Sequence, residues 1–209
     1  MSITVDELVG AATVIPVLTV TRLEDAVPLA RALKAGGLQV IEITWRTDAA
    51  LEALTEMKTA EPDLWIGMGT IRQPAQVARA LDAGADFLVS PGLTRELEPK
   101  LQAAPCPVLP GVATPSEAMQ AANAGFSILK FFPAEQAGGL DYLKSLKGPL
   151  PEIRFCPTGS ITQALAPNYL ALPNVACVGG SWIATSALID AQDWVAITQN
   201  AAAAADMKS

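Results

Sequence analysis

The sequence predicts an α/β fold, specifically a (β/α)8 TIM barrel with an extra N-terminal helix. Three observations predict it. Short β-rich runs alternate with Ala- and Leu-rich amphipathic runs about eight times along 209 residues, the cadence of βα units around a parallel sheet. Hydrophobic residues make up 51% of the chain and charged residues only 17%, which suits strands buried on both faces. The turn after the first run, Val20-Thr21-Arg22-Leu23, contains no glycine, whereas the competing doubly wound open sheet usually carries a Gly-rich fingerprint there. No linker or long low-complexity segment interrupts the chain, so one domain over residues 1–209 is expected.

The elements follow in order. A leading helix is expected over residues 4–12. Strands rich in β-branched and apolar residues are expected over 14–20, 39–44, 65–70, 87–90, 108–111, 127–131, 153–156 and 176–178. Helices with apolar residues at three- and four-residue spacing fill the intervals, over 23–35, 48–60, 74–83, 95–103, 115–124, 140–146 and 161–172. Gly36, Gly84 and Gly125 stand where glycine ends a helix in the left-handed conformation. Thr94 before Arg95, and Ser116 and Glu117 after Pro115, mark helix starts. Residues 201–205 close a last helix, and the terminal Asp206-Met207-Lys208-Ser209 is expected to fray.

Composition removes several functions. The net charge is −7 with no basic patch, so nucleic acid is not an expected partner. The apolar runs are too short to span a bilayer, and residues 1–7 lack the basic start of a secretion signal. A soluble cytoplasmic protein that does not engage membranes is expected. Cys106, Cys156 and Cys177 are odd in number and widely spaced, which gives neither a disulfide framework nor a zinc motif. The chain has no histidine. That excludes Ser-His-Asp and Cys-His catalysis and leaves proton transfer to Glu, Asp, Lys, Tyr or the substrate.

The most telling residue is Lys130, inside the apolar run Phe126-Ser127-Ile128-Leu129-Lys130-Phe131-Phe132-Pro133. Desolvation in a buried strand disfavours a charged amine. A neutral lysine near pH 7 is a nucleophile suited to Schiff-base formation with a carbonyl. The alternatives are a structural ion pair, or a side chain that reaches water at the strand end. The second strand, Val40-Ile41-Glu42-Ile43-Thr44-Trp45-Arg46, puts Glu42, Thr44 and Arg46 on one face. Glu42 is then either a neutralising partner for a cation or a general acid/base. Arg46, beyond the strand end, can grip a carboxylate in bidentate fashion.

Chemistry in such barrels gathers at the C-terminal strand ends. The third predicted strand ends Gly69-Thr70, the fourth Ser90-Pro91-Gly92, and the fifth Pro110-Gly111. The last two end in small turns, Thr158-Gly159-Ser160 and Gly179-Gly180-Ser181. Paired turns at that place in a barrel form a recurring phosphate site.

Taken together, these residues resemble the 2-keto-3-deoxy-6-phosphogluconate (KDPG) aldolase family, also called KHG/KDPG aldolases. The match is carried by Ile15-Pro16-Val17, Glu42-Ile43-Thr44 with Arg46-Thr47, Gly69-Thr70, Ser90-Pro91-Gly92-Leu93 and Pro110-Gly111. It continues through Lys130-Phe131-Phe132-Pro133-Ala134-Glu135, Arg154-Phe155-Cys156-Pro157-Thr158-Gly159 and Gly179-Gly180-Ser181-Trp182. The resemblance implies a class I aldolase that uses no metal or other cofactor, usually a homotrimer. It implies reversible cleavage of KDPG, a phosphorylated keto acid, to pyruvate and glyceraldehyde 3-phosphate. It makes Lys130 the Schiff-base lysine and Glu42 the general acid/base. Arg46 and Thr70 match residues that hold the pyruvate carboxylate, and Pro91 and Phe132 match pocket walls. Thr158 matches a position linked to stereochemical control, while Gly159, Ser160, Gly179, Gly180 and Ser181 fall on the phosphate loops.

Two positions depart from the family pattern. Ser160 stands where a second glycine is usual, and costs on the order of 1 kcal/mol if the backbone there needs positive φ. Trp45 stands where an aliphatic residue is common, and should point away from Glu42. The same resemblance admits an aldolase acting mainly on 4-hydroxy-2-oxoglutarate or on the galactonate-derived isomer. A phosphosugar isomerase or epimerase, and an inactive phosphate-binding scaffold, are the alternatives outside aldol chemistry.

Overall fold

A computed structural model describes residues 3–207. Nine short strands and ten α-helices alternate along them. The strands are β1 (Val14–Leu18), β2 (Val40–Thr44), β3 (Trp65–Gly69), β4 (Phe87–Val89), β5 (Val108–Leu109), β6 (Gly111–Val112), β7 (Ile128–Phe131), β8 (Arg154–Pro157) and β9 (Val178–Gly180). All are paired in parallel. They form a curled sheet in two stretches, ordered β5-β4-β3-β2-β1-β9 and β6-β7-β8. The stretches meet at Pro110, between β5 and β6, and at the isolated bridges Phe155↔Val175 and Thr158↔Gly179.

The break at Pro110 corrects the single strand expected over 108–111. Proline cannot donate to a ladder, so Val108–Leu109 pairs back to β4 while Gly111–Val112 pairs forward to β7. The last strand also sits two residues further on than expected, at Val178–Gly180, because Val14, Ile15 and Pro16 register against Val178, Gly179 and Gly180.

The helices are α1 (Val5–Gly10), α2 (Ala26–Ala35), α3 (Ala50–Ala60), α4 (Pro74–Asp82), α5 (Glu98–Gln102), α6 (Pro115–Asn123), α7 (Gly139–Leu146), α8 (Ala166–Leu170), α9 (Ser186–Asp190) and α10 (Trp194–Ala205). The helix expected over 23–35 begins instead as a 3-10 turn, Leu23–Asp25, before α2. Those expected over 95–103 and 161–172 shrink to α5 and α8. Each has a proline in its first turn, a position that tolerates the missing N–H. The preceding residues are spent on turns capped by Thr94 and Thr162, which accept from Leu97 N and Leu165 N. Helix α9 was not expected from the sequence. Asp206 caps α10, and Lys208 and Ser209 of the expected frayed end lie outside the described residues.

Gly84 and Gly125 take positive φ after their helices, as expected, but after α2 that role falls to Gly37 (φ 90°). Gly36 serves another need, since a Cβ there would sit 2.4 Å from the Cβ of Ala201 on α10.

The core has two parts. The larger lies between strands and helices, with Leu29, Leu33, Ile41, Ile43, Leu54 and Phe155 fully buried. Each such side chain contributes roughly 1.5–3 kcal/mol. The smaller gathers residues from the strand starts, Ile15, Val40, Phe87 and Ile128, beneath Leu8 and Val9 of α1. A complete capping box at Thr4 and Glu7 starts α1, and Asp6 pairs with Arg154 at the start of β8. The N-terminal end of the sheet is therefore covered with apolar groups. Cys156 and Cys177 are buried there and Cys106 is half-buried. Burial pushes the Cys106 thiol up to about 11, consistent with unreactive packing residues. The opposite, C-terminal end of the strands holds the polar groups.

Candidate active site

Lys130 is the third residue of β7, in an element every residue of which is buried. Only 4% of it is exposed, and among the described residues it is the one buried lysine or arginine. Glu42, also 4% exposed, is the third residue of β2. The two strands lie in different stretches of the sheet, yet Lys130 Nζ donates to Glu42 Oε1 at 3.2 Å. Only the curl of the sheet brings residues 88 positions apart into contact across its concave face. The ammonium also lies 5.5 Å from the centre of the Phe132 ring, within range of attraction to its π face.

The strand positions around this pair are shaped by small residues. Gly69 ends β3 beside the Glu42 carboxylate, and a Cβ there would fall 2.0 Å from Glu42 Oε1. Glycine is thus required by close approach. Gly69→Ala is expected to displace the carboxylate and lower kcat/KM by about 10²-fold, the scale of a 1 Å misplacement. Steady-state kinetics with circular dichroism on the folded variant checks this, and unchanged kinetics would contradict it.

Gly111 pairs in register with Lys130, and its Cα faces the Pro91 backbone, where a Cβ would lie 2.2 Å from the Pro91 carbonyl carbon. Gly111 N donates to the buried Ser90 hydroxyl at 3.3 Å. Pro91 therefore lies against β6, the strand next to the one that carries Lys130. Thr158, at the end of β8, bridges to Gly179, and its hydroxyl occupies the space that a Cβ on Gly179 would take.

Thr70 follows Gly69 with φ 61°. A β-branched residue in the left-handed region costs about 1–3 kcal/mol and persists only where its neighbours fix it. Here Trp45 N donates to Gly69 O at 2.8 Å and Ile71 N to Val89 O at 3.1 Å, clamping both sides.

Arg46 is exposed just beyond β2, and its guanidinium pairs with no group among the described residues. Trp45, as alternation requires, turns to the outer side, where Arg79 stacks 4.9 Å from its ring centre. Thr44 is buried and structural: its hydroxyl donates to Leu18 O at 2.8 Å and meets Thr19 Oγ1 at 3.0 Å.

The turns after β8 and β9 lie side by side through the Thr158↔Gly179 bridge. Gly159 and Ser160 both take positive φ, 115° and 58°, so serine does occupy a glycine-type conformation. Gly180 is buried against the Trp182 ring, and Ser181 is exposed on the rim.

Two contacts were not foreseen from the sequence. Tyr169 on α8, fully buried, donates to Glu135 Oε1. Burial first, and then the Glu135 carboxylate, push the tyrosine hydroxyl well up, which keeps it a donor. Gln136 Nε2 donates to Ser160 Oγ at 2.7 Å. Glu135 and Gln136 directly follow the lysine motif, but no local pattern states which distant residue each will meet.

Chemically, the arrangement offers a buried amine and a carboxylate within proton-transfer distance, with an exposed guanidinium just beyond β2 and two small turns after β8 and β9. Among the described residues no group of three or more Cys, Asp or Glu is placed to hold a metal ion. No helix among them is long and apolar enough to cross a membrane.

Known proteins with these features are closely similar. The profile of the family described as "Aldolase: KDPG and KHG aldolase" matches residues 5–200. A 2-dehydro-3-deoxy-phosphogluconate aldolase of Zymomonas mobilis is 43% identical over 95% of both chains. The KHG/KDPG aldolase of Escherichia coli is 44% identical over 89% of this chain and 87% of its own. A crystal structure of KDPG aldolase from Legionella pneumophila, with pyruvate captured as a covalent carbinolamine, superposes with a TM-score of 0.93 at 45% identity over 98% of both chains. The matched span covers the lysine strand, the glutamate strand and both terminal turns, and on that ground the chain belongs to the KDPG and KHG aldolase family.

Proposed function

We propose that the protein is a class I aldolase, a lyase that reversibly cleaves KDPG to pyruvate and glyceraldehyde 3-phosphate. The observation that carries this reading is the buried hydrogen bond between Lys130 and Glu42, in a family with a relative caught as a pyruvate carbinolamine. The ammonium hands a proton to the carboxylate, and the freed amine attacks the C2 ketone. The carbinolamine takes a proton from Glu42 at its hydroxyl and loses water, leaving a protonated imine. The C3–C4 bond then breaks as its electron pair moves into the iminium. The C4 hydroxyl proton passes to Glu42, and glyceraldehyde 3-phosphate departs. Protonation of the remaining enamine at C3, followed by addition of water, releases pyruvate and restores the amine. Splitting one hard bond cleavage into covalent steps is the source of the rate. Each step uses only protein groups and water.

Arg46 and Thr70 take the carboxylate end, a role supported by the unpaired guanidinium and by the strained end of β3 beside Glu42. Pro91 and Phe132 form the walls around the reacting carbon, and Thr158 faces the aldehyde carbon. Gly159, Ser160, Gly179, Gly180 and Ser181 receive the phosphate. The parallel pairing, the continuity of the chain through Pro110 and the two bridges between the β8 and β9 segments support a closed (β/α)8 barrel with α1 as an extra helix, forming one domain over residues 1–209. Family membership supports a homotrimer. The charge of a phosphorylated acid, which cannot pass unaided through a bilayer, supports a cytoplasmic site of action in sugar-acid breakdown by the Entner-Doudoroff route.

The test is kcat/KM, measured as pyruvate release, on KDPG, 4-hydroxy-2-oxoglutarate and the galactonate-derived isomer. KDPG is expected to give the highest value. A higher value on 4-hydroxy-2-oxoglutarate or the galactonate isomer would reassign the substrate within the family.

A further inference from the structure

Two neighbouring segments meet at the rim of the site. The turn after β8 holds Gly159 and Ser160, both with positive φ. The segment after β7 fastens that turn from outside: Ala134 N donates to Thr158 O at 2.9 Å and Glu135 N to Gly159 O at 3.4 Å. The contact is close, since a Cβ on Gly159 would lie 3.1 Å from Ala134 N. The Tyr169 hydroxyl ties Glu135 of the same segment to α8. The relative position of the two segments is thus fixed before any side chain on the rim is considered.

On that fixed frame Gln136 Nε2 donates to Ser160 Oγ at 2.7 Å. Both residues are exposed, so burial does not force the contact. A serine hydroxyl has two lone pairs and one proton. With one lone pair occupied by the amide N–H, the proton must point elsewhere, and Ser160 finds no acceptor among the described residues. The turn that carries Ser160 is joined to β9 by the Thr158↔Gly179 bridge, and Gly180 and the exposed Ser181 follow. A free O–H proton beside two small turns suits an anionic oxygen. The protein carries net charge −7, so long-range attraction for a dianion is weak and fixed local donors must supply the selectivity.

We propose that Gln136 is a positioning residue for phosphate recognition, holding the Ser160 hydroxyl as a donor toward the phosphate of the substrate. The proposal rests on the assignment of these turns to the phosphate end under Proposed function. It explains how a serine is used at a position whose backbone conformation favours glycine: the hydroxyl supplies a side-chain donor that glycine lacks, and Gln136 sets its direction.

The experiment compares kcat/KM on KDPG with kcat/KM on 4-hydroxy-2-oxoglutarate, which lacks the phosphate, for wild type, Gln136→Ala, Ser160→Gly and the double variant. The ratio is expected to fall roughly 5-fold in Gln136→Ala, the factor matching one net hydrogen bond, and to appear mainly in KM for KDPG. The double variant should show no further fall beyond Ser160→Gly, because Gln136 acts through that hydroxyl. A purely structural role would lower both substrates alike and leave the ratio unchanged, which would overturn the proposal. Additive losses in the double variant would overturn it as well. Efficient wild-type cleavage of KDPG with an unmoved ratio defeats the proposal alone. Wild-type preference for the unphosphorylated acid with an unmoved ratio defeats the phosphate assignment too.

Discussion

Lys130→Ala is expected to lower kcat/KM for KDPG cleavage by at least ~10⁴-fold, because the covalent route disappears with the nucleophile. No other group in the site can take up the electron pair of the breaking C–C bond, so the loss falls on the chemical step. The substitution also strands Glu42, which is 4% exposed, without its partner. Removing one member of a buried ion pair costs about 3–5 kcal/mol, and Ala also omits the buried aliphatic stem. Lys130→Met also leaves Glu42 unpaired but restores the packing, so it limits the loss of stability. It keeps the length and apolar stem of lysine but has no amine. The expected result is a folded protein, shown by a cooperative denaturant transition, with activity as low as in Lys130→Ala. Substantial turnover by folded Lys130→Met would remove lysine from the mechanism.

The second large effect is expected at Glu42. Glu42→Gln preserves the shape of the side chain and an oxygen that accepts from Lys130 Nζ, where the native contact is 3.2 Å. It removes the site that receives a proton. Loss of general acid/base work lowers kcat by roughly 10²–10⁴-fold. Because several steps share the carboxylate, exchange of the pyruvate methyl protons with solvent should slow alongside cleavage. That exchange needs only imine and enamine formation, so it reports on Glu42 without the aldehyde half. If the carboxylate served only as a counter-ion, Glu42→Gln would instead yield less folded protein with intact activity per folded molecule.

Much of this site was legible in the sequence because its parts violate local expectation. A lysine inside Ile128–Phe131 and a glutamate inside Val40–Thr44 contradict the apolar content of buried parallel strands. Strand periodicity then placed Glu42 inward and Trp45 outward, as found. What stayed hidden was tertiary. Gly69 reads as a flexible strand end, and only the structure shows the Glu42 carboxylate filling the place of its missing side chain. The bond between Gln136 and Ser160 joins two loops 24 residues apart, and nothing local in either loop encodes it. Helix ends failed for a different reason. Apolar spacing continued through residues 95–97 and 161–165, but Pro99 and Pro167 fix where α5 and α8 begin. Pro110 shows the same priority of backbone chemistry over hydrophobic pattern, splitting a continuous apolar run into β5 and β6.

The most direct measurement is reduction with borohydride in the presence of pyruvate, followed by peptide mass spectrometry. A single reduced pyruvyl group is expected on the peptide containing Lys130, absent from Lys130→Met and without borohydride. A reduced pyruvyl group on a different lysine, or no adduct in active wild-type protein, would contradict that expectation.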